Sequence, residues 1–243
     1  MKAIILSAGQ GRRLLPLTEN TPKCALDVAG RTALEWQLSQ IAQTDIDQVV
    51  VMTGFRAPVV EAITQAFTEV AVRTTHNPFY AACDNLGTCW LARPEMTGEF
   101  VIMNGDTLFE AAVLQRLLDS PADHAVTLCI DRKGEYDDDD MKVVEQGGRL
   151  ERVGKQLGDA PVNAESIGLM TFRGDGPAVF SAQLDRMMRD ESGLKRWYLS
   201  AIDALAPQGH VGVCSIEGLS WCEVDDAADL AHAAKVVATW PSP

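Results

Sequence analysis

Short apolar runs and longer mixed segments alternate along the first half of the chain. Ala3–Ser7, Gln48–Thr53, Val70–Thr75, Phe100–Asn104 and Ala125–Ile130 are brief stretches rich in Val, Ile and other apolar residues, and each ends at polar or glycine positions. Runs of this length read as buried strands. Between them, Thr32–Ala42, Pro58–Phe67, Leu86–Arg93 and Glu110–Leu118 place apolar residues at helical spacing. The alternation predicts an α/β fold, Rossmann-like, with a mainly parallel sheet flanked by helices and right-handed connections.

The texture changes after Asp131. Arg132–Asp140 is charged and ends in four consecutive aspartates. Met141–Glu145 and Gly148–Val153 read as short antiparallel strands joined at Gly147-Gly148. Glu165–Phe172 predicts a strand, Pro177–Met188 and Leu194–Leu205 predict helices, Val211–Ile216 and Ser220–Val224 predict strands, and Asp226–Ala238 closes the chain as a helix. No internal repeat or low-complexity linker separates these segments. A single domain over residues 1–243 is expected, with a small β-rich insert at about 131–165 on the acceptor side of the active site.

Composition narrows the function classes. A chain of 243 residues, 47% of them hydrophobic, is long enough to bury one sizeable core. No apolar run approaches the roughly 18 residues that a membrane-crossing helix needs. The six cysteines form no CxxC pair and lie far from the histidines, so neither a zinc site nor a disulfide framework is expected. Reduced thiols suit a cytoplasmic chain. The net charge of −13 disfavours a nucleic-acid polymer, which needs a basic face. A mononucleotide triphosphate, by contrast, requires only a few local cations and a metal.

The strongest local signal is Leu6-Ser7-Ala8-Gly9-Gln10-Gly11-Arg12-Arg13-Leu14, directly after the first strand. Glycines there let the backbone approach phosphates and turn its N–H groups towards them. A dinucleotide fingerprint would place a third glycine where Leu14 stands and an acidic residue where Thr53-Gly54 ends the second strand. A Walker A loop would end in Gly-Lys-Ser/Thr, which Arg12-Arg13-Leu14 does not supply. Downstream, Asn20-Thr21-Pro22-Lys23 presents a lysine from a proline-stiffened loop. Arg13 and Lys23 are thus two cations near the expected phosphate site, the first able to fork onto oxygens, the second a point charge.

Two carboxylates stand out by position. Asp106 follows the apolar strand Phe100–Asn104, at the strand end where α/β ligands bind. Asp225 follows Ser220–Val224. Each also fits a plainer role, Asp106 as a turn residue and Asp225 or Asp226 as a helix cap.

Taken together, Leu6–Lys23 with its Gly9-Gln10-Gly11-Arg12-Arg13-Leu14 and Thr21-Pro22-Lys23 resembles the signature of the nucleotidyltransferases that activate sugar 1-phosphates and phosphocholine. The resemblance runs from Met1 to about Val237. It implies that Leu6, Ala8, Gly9 and Gly11 line the nucleotide, the last three through backbone atoms. It implies that Arg13 and Lys23 hold the reacting phosphates as catalytic residues. It further implies that Asp106 contacts nucleotide and, with Asp225, ligates Mg²⁺. Asp225 rather than Asp226 matches the family's Glu-hydrophobic-Asp pattern, which leaves Asp226 as the helix cap.

The resembling enzymes read the nucleobase near Asn85, Gly87 and Thr88. The sugar branch carries a longer glycine-rich run after Leu-Gly-Thr, whereas Cys89-Trp90 intervenes here. Asn77-Pro78-Phe79-Tyr80 followed by Asp84-Asn85-Leu86 is closer to the phosphocholine and 2-aminoethylphosphonate cytidylyltransferases. The resemblance therefore implies CMP transfer from CTP to a small phosphate or phosphonate acceptor, with pyrophosphate released. The alternative is a sugar-1-phosphate nucleotidyltransferase using UTP, dTTP or GTP. On the acceptor side Asp138, Asp140 and Glu165 suit an ammonium, Lys142 suits a phosphate, and Trp197 and Trp221 offer aromatic faces for cation–π attraction. A solvated acidic loop and ordinary core aromatics fit the same residues. No nucleic-acid or membrane partner is expected, and a homodimer is left open.

Overall fold

The computed structural model describes residues 1–241, and the last two residues of the expected 1–243 domain lie outside the described residues. In chain order the elements are β1 (Lys2–Ser7), β2 (Asp27–Val28), β3 (Arg31–Thr32), α1 (Ala33–Ile41), β4 (Gln48–Thr53), α2 (Ala57–Ala66), β5 (Ala71–His76), α3 (Asn85–Leu91), β6 (Phe100–Asn104), β7 (Thr107–Phe109), α4 (Ala111–Leu118), β8 (Val126–Asp131), β9 (Lys142–Gln146), β10 (Arg149–Gly154), β11 (Ala164–Phe172), α5 (Gly176–Met188), α6 (Leu199–Leu205), β12 (Val211–Ser215), β13 (Trp221–Glu223) and α7 (Ala227–Val237). They fall into two compact units. The first is Met1–Ala82, Met103–Gln115 and Leu219–Pro243; the second is Cys83–Ile102 and Arg116–Gly218.

In the first unit the strand order is β5-β4-β1. β1 and β5 both pair with β4 in parallel, Lys2 opposite Gln48 and Gln48 opposite Ala71. Ala3, Ile4, Ile5 and Val49–Met52 are fully buried, which is why these runs are apolar without alternation. A two-stranded ribbon, β7 with β13, lies outside this sheet, and its strands are antiparallel with Thr107 opposite Glu223. An apolar cluster including Leu14, Trp36, Leu108, Val224 and Trp240 packs the ribbon together with α1 and α7. α1 begins at a reciprocal cap between Thr32 and Glu35, and α7 at one between Asp226 and Asp229.

In the second unit the order is β11-β8-β12-β10-β9 and the pairing is mixed. β8 and β12 are parallel, whereas β11 is antiparallel to β8 and β10 is antiparallel to β9 and β12. The β9–β10 hairpin turns at Gly147 and Gly148, both in the left-handed region that a tight hairpin requires. Phe100, Phe172 and Phe180 stack through its core at centroid separations of 4.6 and 4.5 Å.

One expectation from the sequence needs correction. Leu194–Leu205 is not one helix: a 3-10 turn over Glu191–Lys195 gives way to extended backbone at Arg196 before α6 starts at Leu199. The reason is tertiary. The N–H groups of Asp84 and Leu86 donate to the carbonyls of Leu194 and Arg196, and Asn85 Oδ1 accepts from the Tyr198 N–H, so the segment is drawn out to meet its neighbour. β7, a strand of three residues, is not marked by the apolar pattern alone.

Candidate functional site

The glycine loop runs out of β1 over the end of the parallel strands. Gly11 has φ +74°, and a Cβ there would sit 2.8 Å from the Lys23 Cβ, so both conformation and packing require glycine. Gly9 differs: an added Cβ would meet nothing within 4 Å. The loop is tied by Thr18, fully buried, whose hydroxyl donates to the Gly11 carbonyl at 2.8 Å. From β4, the Phe55 N–H donates to the Ala8 carbonyl at 3.0 Å, and Gly54 lies so close that a Cβ would be 2.5 Å from the same oxygen. The carbonyls of Leu6 and Ala8 are thereby spent on structure, the former accepting from the Gly105 N–H at 3.1 Å. The N–H groups of Gly9, Gln10 and Gly11 donate to no acceptor among the described residues.

Asp106 and Asp225 are distant in sequence, and the β7–β13 ribbon joins them. Asp106 immediately precedes β7, and Asp225 lies just beyond the end of β13. Pairing Thr107 with Glu223 places the two flanking carboxylates at the same end of the ribbon, and the Val224 N–H donates to the Asp106 carbonyl at 3.1 Å. Lys23 completes the group: its Nζ stands 2.7 Å from Asp106 Oδ2 and 2.5 Å from Asp225 Oδ1. Arg13 reaches Asp225 Oδ2 at 2.9 Å. The structure thus brings Arg13, Lys23, Asp106 and Asp225 together beside the glycine loop.

The electrostatics follow from this geometry. Burial pulls the Lys23 ammonium towards its neutral form, but the charges of Asp106 and Asp225 and their hydrogen bonds outweigh it and hold its pKa above the usual lysine value. Burial likewise pushes the Asp225 carboxyl upward, and Lys23 and then Arg13 reverse the effect, leaving it below the usual aspartate value. Asp226, as expected, caps α7, its side chain accepting from the N–H groups of Ala228 and Asp229.

One atom of this group is left over. Asp106 Oδ1 is buried and has no hydrogen-bond partner among the described residues. A buried anionic oxygen in that state fits a ligand position for a cation. No cluster of three or more His, Cys, Asp or Glu able to hold a metal occurs among the described residues. With that oxygen open, the two carboxylates suit a small hard cation that takes one or two carboxylates and completes its shell with phosphate oxygens and water.

The remaining sequence-selected residues fall in both units. In the second, Asn85 opens α3 with its amide oxygen engaged by Tyr198, Gly87 packs against Cys83, and Thr88 is buried. Asp140 pairs with Lys133 at 2.8 Å, and Lys133 also reaches Glu165 at 3.1 Å. Asp139 pairs with Lys155 at 2.8 Å. Lys142 donates to the carbonyls of Asp137 and Lys155, and Asp138 is exposed. The aspartate run is thus laced by lysines rather than left as an open acidic patch. Burial, opposed by Lys133, raises the Glu165 carboxyl to about 7. Trp197 is 45% exposed and carries the Lys155 ammonium 5.2 Å from its ring centre. Trp221 lies on β13 in the first unit.

Sequence reasoning missed Gln37, Gln40 and Lys133. Gln37 stands with Leu34, Leu38 and Ile41 on the buried face of α1. A polar residue at such a position is the signal that could have found it. Lys133 gives no comparable signal, because its partners are set by how β11 and the 132–140 loop fold.

The chain is similar to known proteins along most of its length. Residues 3–205 match the MobA-like NTP transferase domain. The chain is 27% identical over 237 residues to the bifunctional IPC transferase and DIPP synthase of Aquifex aeolicus, covering 96% of this chain and 51% of that protein. It is 29% identical over 245 residues to the CMP-5'-(3-aminopropyl)phosphonate synthase of Streptomyces rubellomurinus, covering 94% of this chain and 37% of that protein. The chain therefore spans about half, or less, of the length of these two relatives. The solved structure of the inositol-1-phosphate CTP transferase from T. maritima shares the fold, with a TM-score of 0.81 at 18% identity, covering 99% of this chain and 98% of that one. On the span of its family match, this chain belongs to the MobA-like NTP transferase family.

Proposed function

We propose that the chain transfers CMP from CTP to a small acceptor carrying a phosphate or phosphonate group, releases pyrophosphate and depends on Mg²⁺. The observation that carries the reading is the meeting of Lys23 with Asp106 and Asp225 beside the glycine loop. Nucleotidyl transfer needs positioning and charge neutralisation rather than covalent chemistry from the protein, and this group supplies both signs of charge at one place. Two relatives similar along nearly the whole chain support the transfer class, and the CMP product named for the Streptomyces synthase supports cytidine.

The protein's part in the reaction is then specific. The N–H groups of residues 9–11 receive phosphate oxygens. Lys23 and Arg13, held by carboxylates before substrate arrives, turn to the triphosphate and stabilise the charge that develops as the α–β bond breaks. Asp106 and Asp225 would hold Mg²⁺, which supplies Lewis-acid neutralisation of the α-phosphate. The acceptor oxygen attacks the α-phosphorus, and because it is anionic near neutral pH no general base is required of the chain. Trp197 offers an aromatic face suited to an ammonium, since it already accepts the Lys155 cation.

A matrix of CTP, UTP, dTTP and GTP against phosphocholine, phosphoethanolamine, 2-aminoethylphosphonate and hexose 1-phosphates, read by pyrophosphate release, tests the reading. Turnover with CTP and an aminoalkyl phosphate or phosphonate is expected. A preference for UTP with a hexose 1-phosphate would replace it with the sugar branch.

A further inference from the structure

Gln37 is fully buried in α1, yet its amide is turned on the backbone that carries Asp106. Its Nε2 donates to the Asn104 carbonyl at 2.7 Å and to the Thr107 carbonyl at 2.7 Å. Those two carbonyls bracket the Gly105-Asp106 turn, so one amide staples both ends of it. The opposite orientation of the amide would set its oxygen against two carbonyls, and only the observed one satisfies them. This leaves Gln37 Oε1 buried without a partner among the described residues. A buried unpaired acceptor is destabilising, and an apolar side chain of the same volume would avoid it. Packing alone therefore does not account for glutamine here.

The turn has little other freedom. A Cβ on Gly105 would lie 2.2 Å from Ser7 Oγ, so the backbone is pressed onto the end of β1. The Gly105 N–H is bound to Leu6, and the Asp106 carbonyl accepts from Val224. Gln37 supplies the remaining side of this frame. We infer that Gln37 is a positioning residue that fixes the Asp106 carboxylate for cation binding; this rests on the proposed role of Asp106 as a ligand.

Gln40 supplies the control. It is equally buried, one turn along the same helix, and its Oε1 accepts from the Ala111 N–H at 2.8 Å, outside the Asp106 turn. Mn²⁺ alone is titrated into the full chain and followed by electron paramagnetic resonance, for the wild type, Gln37→Met, Gln37→Glu, Gln40→Met and Asp106→Asn. Gln37→Glu keeps the shape with at most one donor, so the result does not hinge on one variant's folding. The expected result is a loss of Mn²⁺ affinity of about 10- to 100-fold for both Gln37 variants, the range typical of residues that orient a metal ligand. Gln40→Met should stay within about twofold. The Mg²⁺ concentration for half-maximal turnover should rise in parallel in the Gln37 variants, while turnover at saturating Mg²⁺ recovers.

Other outcomes separate the failures. Wild-type affinity in the Gln37 variants, with binding lost in Asp106→Asn, would overturn the positioning role and leave the ligand reading standing. Equal losses in Gln37→Met and Gln40→Met, or unfolding of both Gln37 variants, would assign Gln37 to the core and overturn it. Undiminished binding by Asp106→Asn, or none by the wild type, would overturn the ligand reading and the inference with it.

Discussion

Lys23 and Arg13 share a carboxylate partner but differ in burial, and that difference separates stability from catalysis. Arg13 is 51% exposed, so its contact with Asp225 is a surface pair worth about 0–1 kcal/mol. Arg13→Ala should leave thermal unfolding nearly unchanged while lowering turnover. Lys23 is 14% exposed and bridges two carboxylates. Lys23→Met removes the cation between them and should lower kcat by about 10²- to 10³-fold, the scale of one lost preorganised charge. It should also bind Mn²⁺ more tightly without nucleotide, because the ammonium no longer competes for the same oxygens. Pyrophosphate release and a metal titration check both statements, and weaker Mn²⁺ binding in Lys23→Met would refute the competition.

At the level of elements, the glycines of the loop divide into those that structure demands and one that it does not. Gly54→Ala would press a Cβ to 2.5 Å from the Ala8 carbonyl and 2.6 Å from the Tyr80 Cβ, and should destabilise by about 1–3 kcal/mol. Gly9→Ala meets nothing and should shift stability by less than about 0.5 kcal/mol. A fall in nucleotide affinity in Gly9→Ala without a fall in unfolding temperature would mark Gly9 as space kept for the phosphates; unchanged affinity would remove it from the nucleotide site.

The same contrast shows what was legible in the sequence. The strands β1, β4 and β6 were readable because they are buried on both faces and hence uniformly apolar. The loop of residues 9–23 was readable because glycine, arginine and lysine at that spacing have few structural reasons to occur together. β7 was not, since Thr107-Leu108-Phe109 is too short to show a period and gains its register from Trp221–Glu223, far along the chain. The break before α6 was hidden for a related reason, its cause lying in hydrogen bonds from residues 84–86. Gln37 could have been noticed as a polar residue on an apolar face, but its target carbonyls could not.

For the molecule as a whole, a net charge of −13 means that raising the pH adds repulsion to an already anionic surface. That general effect is screened by salt. Glu165 adds one that is not, because its side chain is only 8% exposed. Burial raises its pKa from the ordinary 4.5 to about 7; Lys133 opposes the shift, and the charge of Asp140 adds to it, burial pushing the Asp140 carboxyl up but the Lys133 and Asp137 hydrogen bonds leaving it below the usual aspartate value. A carboxyl whose pKa is higher folded than unfolded binds more protons in the native state. Stability from this site is thus fully present below about pH 4.5 and is lost as pH rises through about 7. Glu165→Gln cannot ionise, so its unfolding temperature relative to the wild type should climb across that window. The difference between the two proteins should persist at 0.5 M NaCl, where the surface contribution is largely screened in both. Parallel profiles for the two proteins would show that Glu165 ionises as an ordinary surface carboxyl does, and a difference that salt erases would place its charge in solvent rather than against Lys133.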